Sequence, residues 1–203
     1  MVSALYPPAL ARATLTFPLV TRSSDYLLAA ASGLLLAFSF PTLGHPAFSW
    51  IALAPLLVAL QRGTLRRAFG LGAITGGLYF GGTLYWLTRV MVVYGGLAHW
   101  IAVPINVALV AFLALFPAVF AVIVRRLVAA SGPRALLAAP FVWVATELGR
   151  TYLFTGFPWV LLGYSQATVL PVAQLASLVG VYGISALVAS ASAALAFLVA
   201  RGF

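Results

Sequence analysis

The sequence contains no cysteine and no lysine, and its 203 residues carry only two acidic side chains, Asp25 and Glu147. Without cysteine there is no disulfide framework, no thiolate metal site and no sulfur nucleophile. The two histidines, His45 and His99, have no second ligand at metal spacing, so neither a metal site nor a cofactor is expected. Charge as a whole is scarce, at 6% of residues, where an ordinary soluble domain carries about 25%. Period-two alternation, which every strand of an outer-membrane barrel needs, is also missing. Hydrocarbon fills the chain instead, since 64% of residues are hydrophobic. Several apolar runs approach the roughly 20 residues with which a helix covers about 30 Å of bilayer. The sequence therefore predicts an all-α, polytopic integral membrane bundle.

The net charge of +9 comes entirely from arginine. No basic stripe with interleaved aromatics lies outside the apolar runs, so nucleic acid is not an expected partner. Residues 1–24, with Pro7, Pro8, Arg12, Pro18 and Arg22, read as a tail. A signal peptide is the alternative, disfavoured because apolar segments continue to the C-terminus. Residues 25–203 read as one membrane domain with six apolar segments, near 26–40, 47–60, 68–87, 100–124, 135–148 and 171–200. The first two, joined by PTLGHP, are short for spans: about 15 helical residues reach only some 22 Å. They either recruit flanking residues or stop short of a crossing. With six spans, Arg12, Arg22, Arg62, Arg66, Arg67, Arg125, Arg126, Arg134 and Arg201 share one side, and only Arg89 and Arg150 the other. That bias predicts cytoplasmic termini and puts residues 155–166 on the outer face.

Within the third segment, Gly72 with Gly76 and Gly77 with Gly81 form GxxxG pairs, which imply close helix packing rather than chemistry. Asn106, alone in the fourth segment, is expected to bond to a neighbouring helix. Glu147 and Arg150 are three residues apart and share a helix face. Two readings stay open for them: a functional intramembrane charge, or a structural ion pair that anchors the helix end. The stretch TGFPWVLLGYSQ, residues 155–166, puts helix breakers at lipid level, where irregular backbone needs protein or water to satisfy it. It suggests a loop folded into a cavity, presenting Trp159 and Tyr164. Anchoring in an aromatic belt is the plainer alternative.

Five motifs occur in order: LAFSFPTLGHPAFSWIALAPLLVAL, the glycine run ending LYW at Leu84 to Trp86, FVWVATELGR, TGFPWVLLGYSQ and QLASLVGVYGIS. Together, from Leu27 to Ala200, they resemble the N-terminal membrane domain of the bacterial apolipoprotein N-acyltransferase family. The resemblance implies the inner (cytoplasmic) membrane and the last step of lipoprotein maturation. A phospholipid acyl chain passes through a cysteine thioester to the α-amine of a diacylated lipoprotein's N-terminal cysteine. In that family a nitrilase-like domain on the outer side does the chemistry with Glu, Lys and Cys. This chain has neither Cys nor Lys, so it is expected to be inactive alone, a truncated or split member served by a separately encoded nitrilase-like domain. The family also has a seventh span before that domain and another after it. What the resemblance carries over is a substrate or acyl-chain site at Gly156, Phe157, Pro158, Trp159 and Tyr164, with Tyr85 and Trp86. The rivals are a non-enzymatic lipid- or partner-binding scaffold and a small transporter, for which Asn106 is the one thin candidate.

Overall fold

The computed structural model describes residues 22–40, 44–153 and 156–202. Expectations for the tail before Arg22, for Pro41 to Leu43 of the first link and for Thr155 lie outside them. The described residues contain helices and turns and no strand. In chain order the helices are α1 (Arg22–Ala37), α2 (Ser49–Ala52), α3 (Ala54–Ala59), α4 (Leu65–Leu84), α5 (Trp86–Val93), α6 (His99–Ser131), α7 (Ala139–Tyr152), α8 (Leu170–Ala173) and α9 (Ala176–Arg201). Short 3₁₀ turns cover Pro46–Phe48, Pro133–Ala138 and Leu162–Gln166. Two of these helices, α6 and α9, are long and apolar enough to cross a bilayer.

Local sequence sets where the apolar segments break or bend. The second breaks in two because Pro55 has no N–H to offer the carbonyl of Ile51 and its ring crowds that carbonyl. A serine from α9 bonds on the N-terminal side of the break: Ser192 Oγ accepts from Leu53 N at 3.2 Å and donates to Trp50 O at 2.9 Å. Ser32 of α1 donates its hydroxyl to the neighbouring Ala52 carbonyl. Backbone groups at a helix break in an apolar interior are satisfied here by hydroxyls of adjacent helices. Ser192→Ala removes both bonds and is expected to cost about 1–2 kcal/mol, read as a lower SDS midpoint for unfolding. The sixth segment bends at Gly180, whose φ of 66° and ψ of 178° only glycine adopts readily. In the third, α4 stops at Leu84. Asn106 of α6 donates Nδ2 to the Leu84 carbonyl at 3.3 Å and to Thr88 Oγ1 at 3.0 Å. The amide stitches helices together, as expected.

The centre of the bundle is α4, lying between α1 and α6, while α9 packs on α2, α3 and α7. Buried residues of α4 recur at helical spacing: Ala68, Leu71, Gly72, Thr75, Gly76, Tyr79 and Phe80. Gly72 and Gly76 sit in this stripe, directly against α6 at Pro117, Ala118 and Ala114. Gly77 and Gly81 do not. A side chain at either would meet nothing within 4 Å, because a step of one residue turns about 100° around a helix. Only the first GxxxG pair is therefore a packing motif.

Candidate functional site

Helix α7 ends at Tyr152, and Phe157 N then donates back to the carbonyl of Arg150 at 2.8 Å, folding the chain over the helix end. Gly156 makes this turn possible. It adopts a φ of 76°, and a Cβ there would strike the Thr151 carbonyl. Four residues later Val160 also has a positive φ, 55°. A β-branched residue in that region is a true outlier, held only where its surroundings demand it.

Those surroundings are polar groups delivered from four directions. Arg150 donates Nη1 to the Trp159 carbonyl and Nη2 to the Val160 carbonyl, the latter at 3.2 Å. Tyr79 of α4 donates its hydroxyl to the same Val160 carbonyl at 2.6 Å. Glu147 Oε1 accepts from Leu162 N at 2.6 Å and from the Trp143 indole at 3.1 Å. Gly163 N donates to Ser185 Oγ of α9 at 2.8 Å. Beyond it the amide of Gln166 donates to Ser49 Oγ at 2.8 Å and to the Pro46 carbonyl at 3.0 Å, tying the segment to the first hairpin. Residues 156–166 thus lack regular secondary structure over most of their length, yet their backbone is bonded to the surrounding helices.

Glu147 and Arg150 are each only 3% exposed, so they are not surface anchors. Nor do they pair with each other: the ion pairs among the described residues join Asp25 to Arg67 and Arg62. Both side chains instead grip the same loop. The ion pair expected between them is thus not formed: a backbone amide and two carbonyls of the loop take up these groups instead. The Arg150 guanidinium also lies over the Phe80 ring, 5.0 Å from its centroid.

The clamped loop forms one wall of a cavity of about 490 Å³. Phe40, Thr83, Leu84 and Trp86 line it from one side, and Pro158, Trp159, Val160 and Tyr164 from the other. Trp86 and Trp159, both on its wall, stack on each other with centroids 5.4 Å apart and planes 13° from parallel. Phe157 supports Trp159 from behind at 5.8 Å. Size and apolar lining are those of a site for a small molecule or hydrocarbon chain. The lining hydroxyls are those of Thr83, which donates to the Tyr79 carbonyl at 2.8 Å, and Tyr164. None of the lining side chains carries a carboxylate, a thiol or an amine.

Of the residues singled out from sequence, Trp86, Pro158, Trp159 and Tyr164 meet at this cavity. Gly156 and Phe157 shape its wall from outside. Tyr85 stands apart, 56% exposed and not among the lining residues. Sequence reasoning missed Phe40, Thr83, Leu84 and Val160 as wall, and Tyr79, Gln166 and Ser185 as clamps. A signal existed for Tyr79 and Gln166, each a hydrogen-bonding side chain inside an apolar run.

Comparison with known proteins converges on one family. Residues 32–194 match the domain described as apolipoprotein N-acyltransferase N-terminal domain. An apolipoprotein N-acyltransferase of Geobacter metallireducens is 48% identical over 179 residues, 88% of this chain and 34% of that protein. That of Chromobacterium violaceum is 38% identical over 176 residues, 87% of this chain and 34% of that protein. The Methylococcus capsulatus protein of the same name is 36% identical over 166 residues, covering 80% of this chain and 32% of that protein. The chain thus spans about a third of the length of these relatives. The family model covers most of the chain, including the segments that build the clamped aromatic cavity, and the chain belongs to the apolipoprotein N-acyltransferase N-terminal domain family.

Proposed function

We propose that this domain is a multi-pass platform of the bacterial inner membrane, with six membrane-embedded segments and cytoplasmic termini. It positions acyl chains of a phospholipid donor and of a diacylated lipoprotein for N-acylation of the lipoprotein's N-terminal cysteine. The reacting groups belong to a nitrilase-like domain outside these 203 residues, whether continuous with them or separately encoded. No cofactor enters this role. The observation that carries the reading is the aromatic cavity, walled by Trp86 and Trp159 and fixed by a loop whose backbone is bonded to buried polar side chains.

The scheme divides labour by chemistry. Acyl transfer needs an activated nucleophile and an oxyanion stabiliser, and this chain contains neither thiol nor lysine. It does need each acyl chain held in register, since a well-oriented reactant gains several orders of magnitude in rate. A rigid aromatic slot supplies that at little conformational entropy.

A photoreactive phospholipid with a diazirine in its acyl chain tests the platform directly. In proteoliposomes, label is expected to concentrate on peptides containing residues 83–86 and 157–164, and Trp159→Ala to reduce it there several-fold. Labelling spread evenly over the lipid-facing sides of α6 and α9, unchanged in the variant, overturns the assignment. The same proteoliposomes given a diacylated lipopeptide are expected to produce no triacylated product.

A further inference from the structure

A second cavity lies at the far end of α4, about 30 Å along that 20-residue helix from the aromatic one. Its volume is about 660 Å³, and Asp25, Tyr26, Arg62, Thr64, Arg66 and Arg67 are on its walls. Local sequence explains how the arginines converge. Gly63, with φ of 91°, turns the chain after Arg62. Thr64 then caps α4 by accepting from Arg67 N at 3.3 Å, which puts Arg66 and Arg67 in the first helical turn. From α6, Arg125 donates Nε to the Gly63 carbonyl at 2.8 Å and holds the turn in place.

The electrostatics of this arrangement are unbalanced. Asp25, 1% exposed, binds Arg67 at 2.9 Å and has Arg62 at 3.9 Å. One carboxylate thus shares the cavity walls with three guanidiniums and pairs with two of them. The Arg66 side chain is exposed and makes no hydrogen bond or ion pair with the described residues. Cations in the first turn of a helix also oppose its macrodipole, so their placement costs stability in the isolated chain. An anion in the cavity reverses that sign: it meets the helix N-terminus and the guanidiniums together. The surroundings say what kind of anion. Tyr26 and Leu27 of α1, at 48% and 71% exposure, and Leu65 and Phe69 of α4, at 42% and 43%, flank the arginines with open apolar surface. A soluble phosphate has no use for those side chains, whereas lipid tails do.

We propose that this cavity is a binding site for the phosphodiester of an anionic phospholipid, its head group held by Arg62 and Arg66 and its tails laid along α1 and α4. This site is separate from the aromatic cavity and does not depend on the role assigned to that one. Basic pockets between membrane helices are where such head groups bind, each basic side chain contributing about a fivefold gain in affinity.

Native mass spectrometry of the full 203-residue chain, released from detergent with matched phosphatidylglycerol, cardiolipin or phosphatidylethanolamine, tests the assignment. The anionic lipids are expected to be retained well above phosphatidylethanolamine. Arg62→Gln and Arg66→Gln are each expected to weaken that retention about fivefold, and Arg201→Gln, away from the cavity walls, to leave it unchanged. Because the Arg66 side chain bonds to none of the described residues, its variant is expected to keep the fold, which circular dichroism checks. Equal retention of the zwitterionic lipid, or undiminished anionic adducts in both cavity variants, overturns the proposal. Displacement of the lipid by inorganic phosphate assigns the cavity to a soluble anion and overturns it equally.

Discussion

Replacing Arg150 with methionine is expected to destabilise the domain by about 3 kcal/mol and to release Trp159 from its stack on Trp86. The guanidinium is 3% exposed and donates to two consecutive carbonyls, of Trp159 and Val160. Bonds from a charged donor contribute about 1.5–3 kcal/mol each, and buried carbonyls left without a donor add their desolvation cost. The strain at Val160, with φ of 55°, raises the stakes: once its carbonyl loses Arg150, Tyr79 alone opposes relaxation to an ordinary backbone conformation. A thermodynamic cycle separates this clamp from a simple ion pair. If Arg150 served only to neutralise Glu147, the double variant Glu147→Leu/Arg150→Met recovers much of either single loss, since apolar pairs often replace buried ion pairs without penalty. The bonds observed predict no recovery. Glu147→Leu strands Leu162 N and the Trp143 indole, Arg150→Met strands two carbonyls, and each damages a different part of the loop. Unfolding midpoints in SDS for the four proteins decide it, with the near-ultraviolet dichroism of the tryptophan stack as the local readout.

The contrast between what residues 155–166 suggest and what they do shows which parts of this fold can be read from a chain alone. Gly156 and Pro158 break helix by their own chemistry, so the irregular backbone was legible, and so was its need for partners. The partners themselves were not. Tyr79 reaches Val160 across 81 residues and Gln166 reaches Ser49 across 117, separations at which no local pattern operates. Glu147 and Arg150 illustrate the same limit at short range. Their spacing places them on one face, and opposite charge suggests that they bond to each other. The loop folding back over α7 offers both of them backbone groups instead. The second apolar segment read as one short helix, whereas it breaks before Pro55 and the bonds of Ser192 at the break depend on α9 lying alongside. Packing of α4 was the most legible element, because apolar and small residues repeat at helical spacing along it.

Even there the glycines needed the structure, and they support the second large expectation. Gly72→Leu and Gly76→Leu are each expected to prevent α4 and α6 from docking, so that the bundle unfolds at far lower SDS than the parent. A Cβ on Gly72 would come within 2.7 Å of the Ala118 Cα, and one on Gly76 within 2.8 Å of the Ala114 Cα. Those atoms are backbone, so they yield only if the helices move apart. Overpacking a tight interior costs about 1–3 kcal/mol for a methyl group, and a leucine demands more room than any local adjustment supplies. Separation of α4 from α6 also withdraws Tyr79 from the Val160 carbonyl and Asn106 from the Leu84 carbonyl, so the damage extends to the aromatic cavity at the end of the helix. Gly77→Ala and Gly81→Ala provide the control. Nothing stands within 4 Å of either new methyl group, and alanine is the better helix former by about 1 kcal/mol. These two are expected to leave stability unchanged or slightly raised. Equal losses at all four glycines would mean that α4 needs glycine for its own conformation, whereas losses confined to Gly72 and Gly76 identify the α4–α6 contact as the seam that holds the cavity in shape.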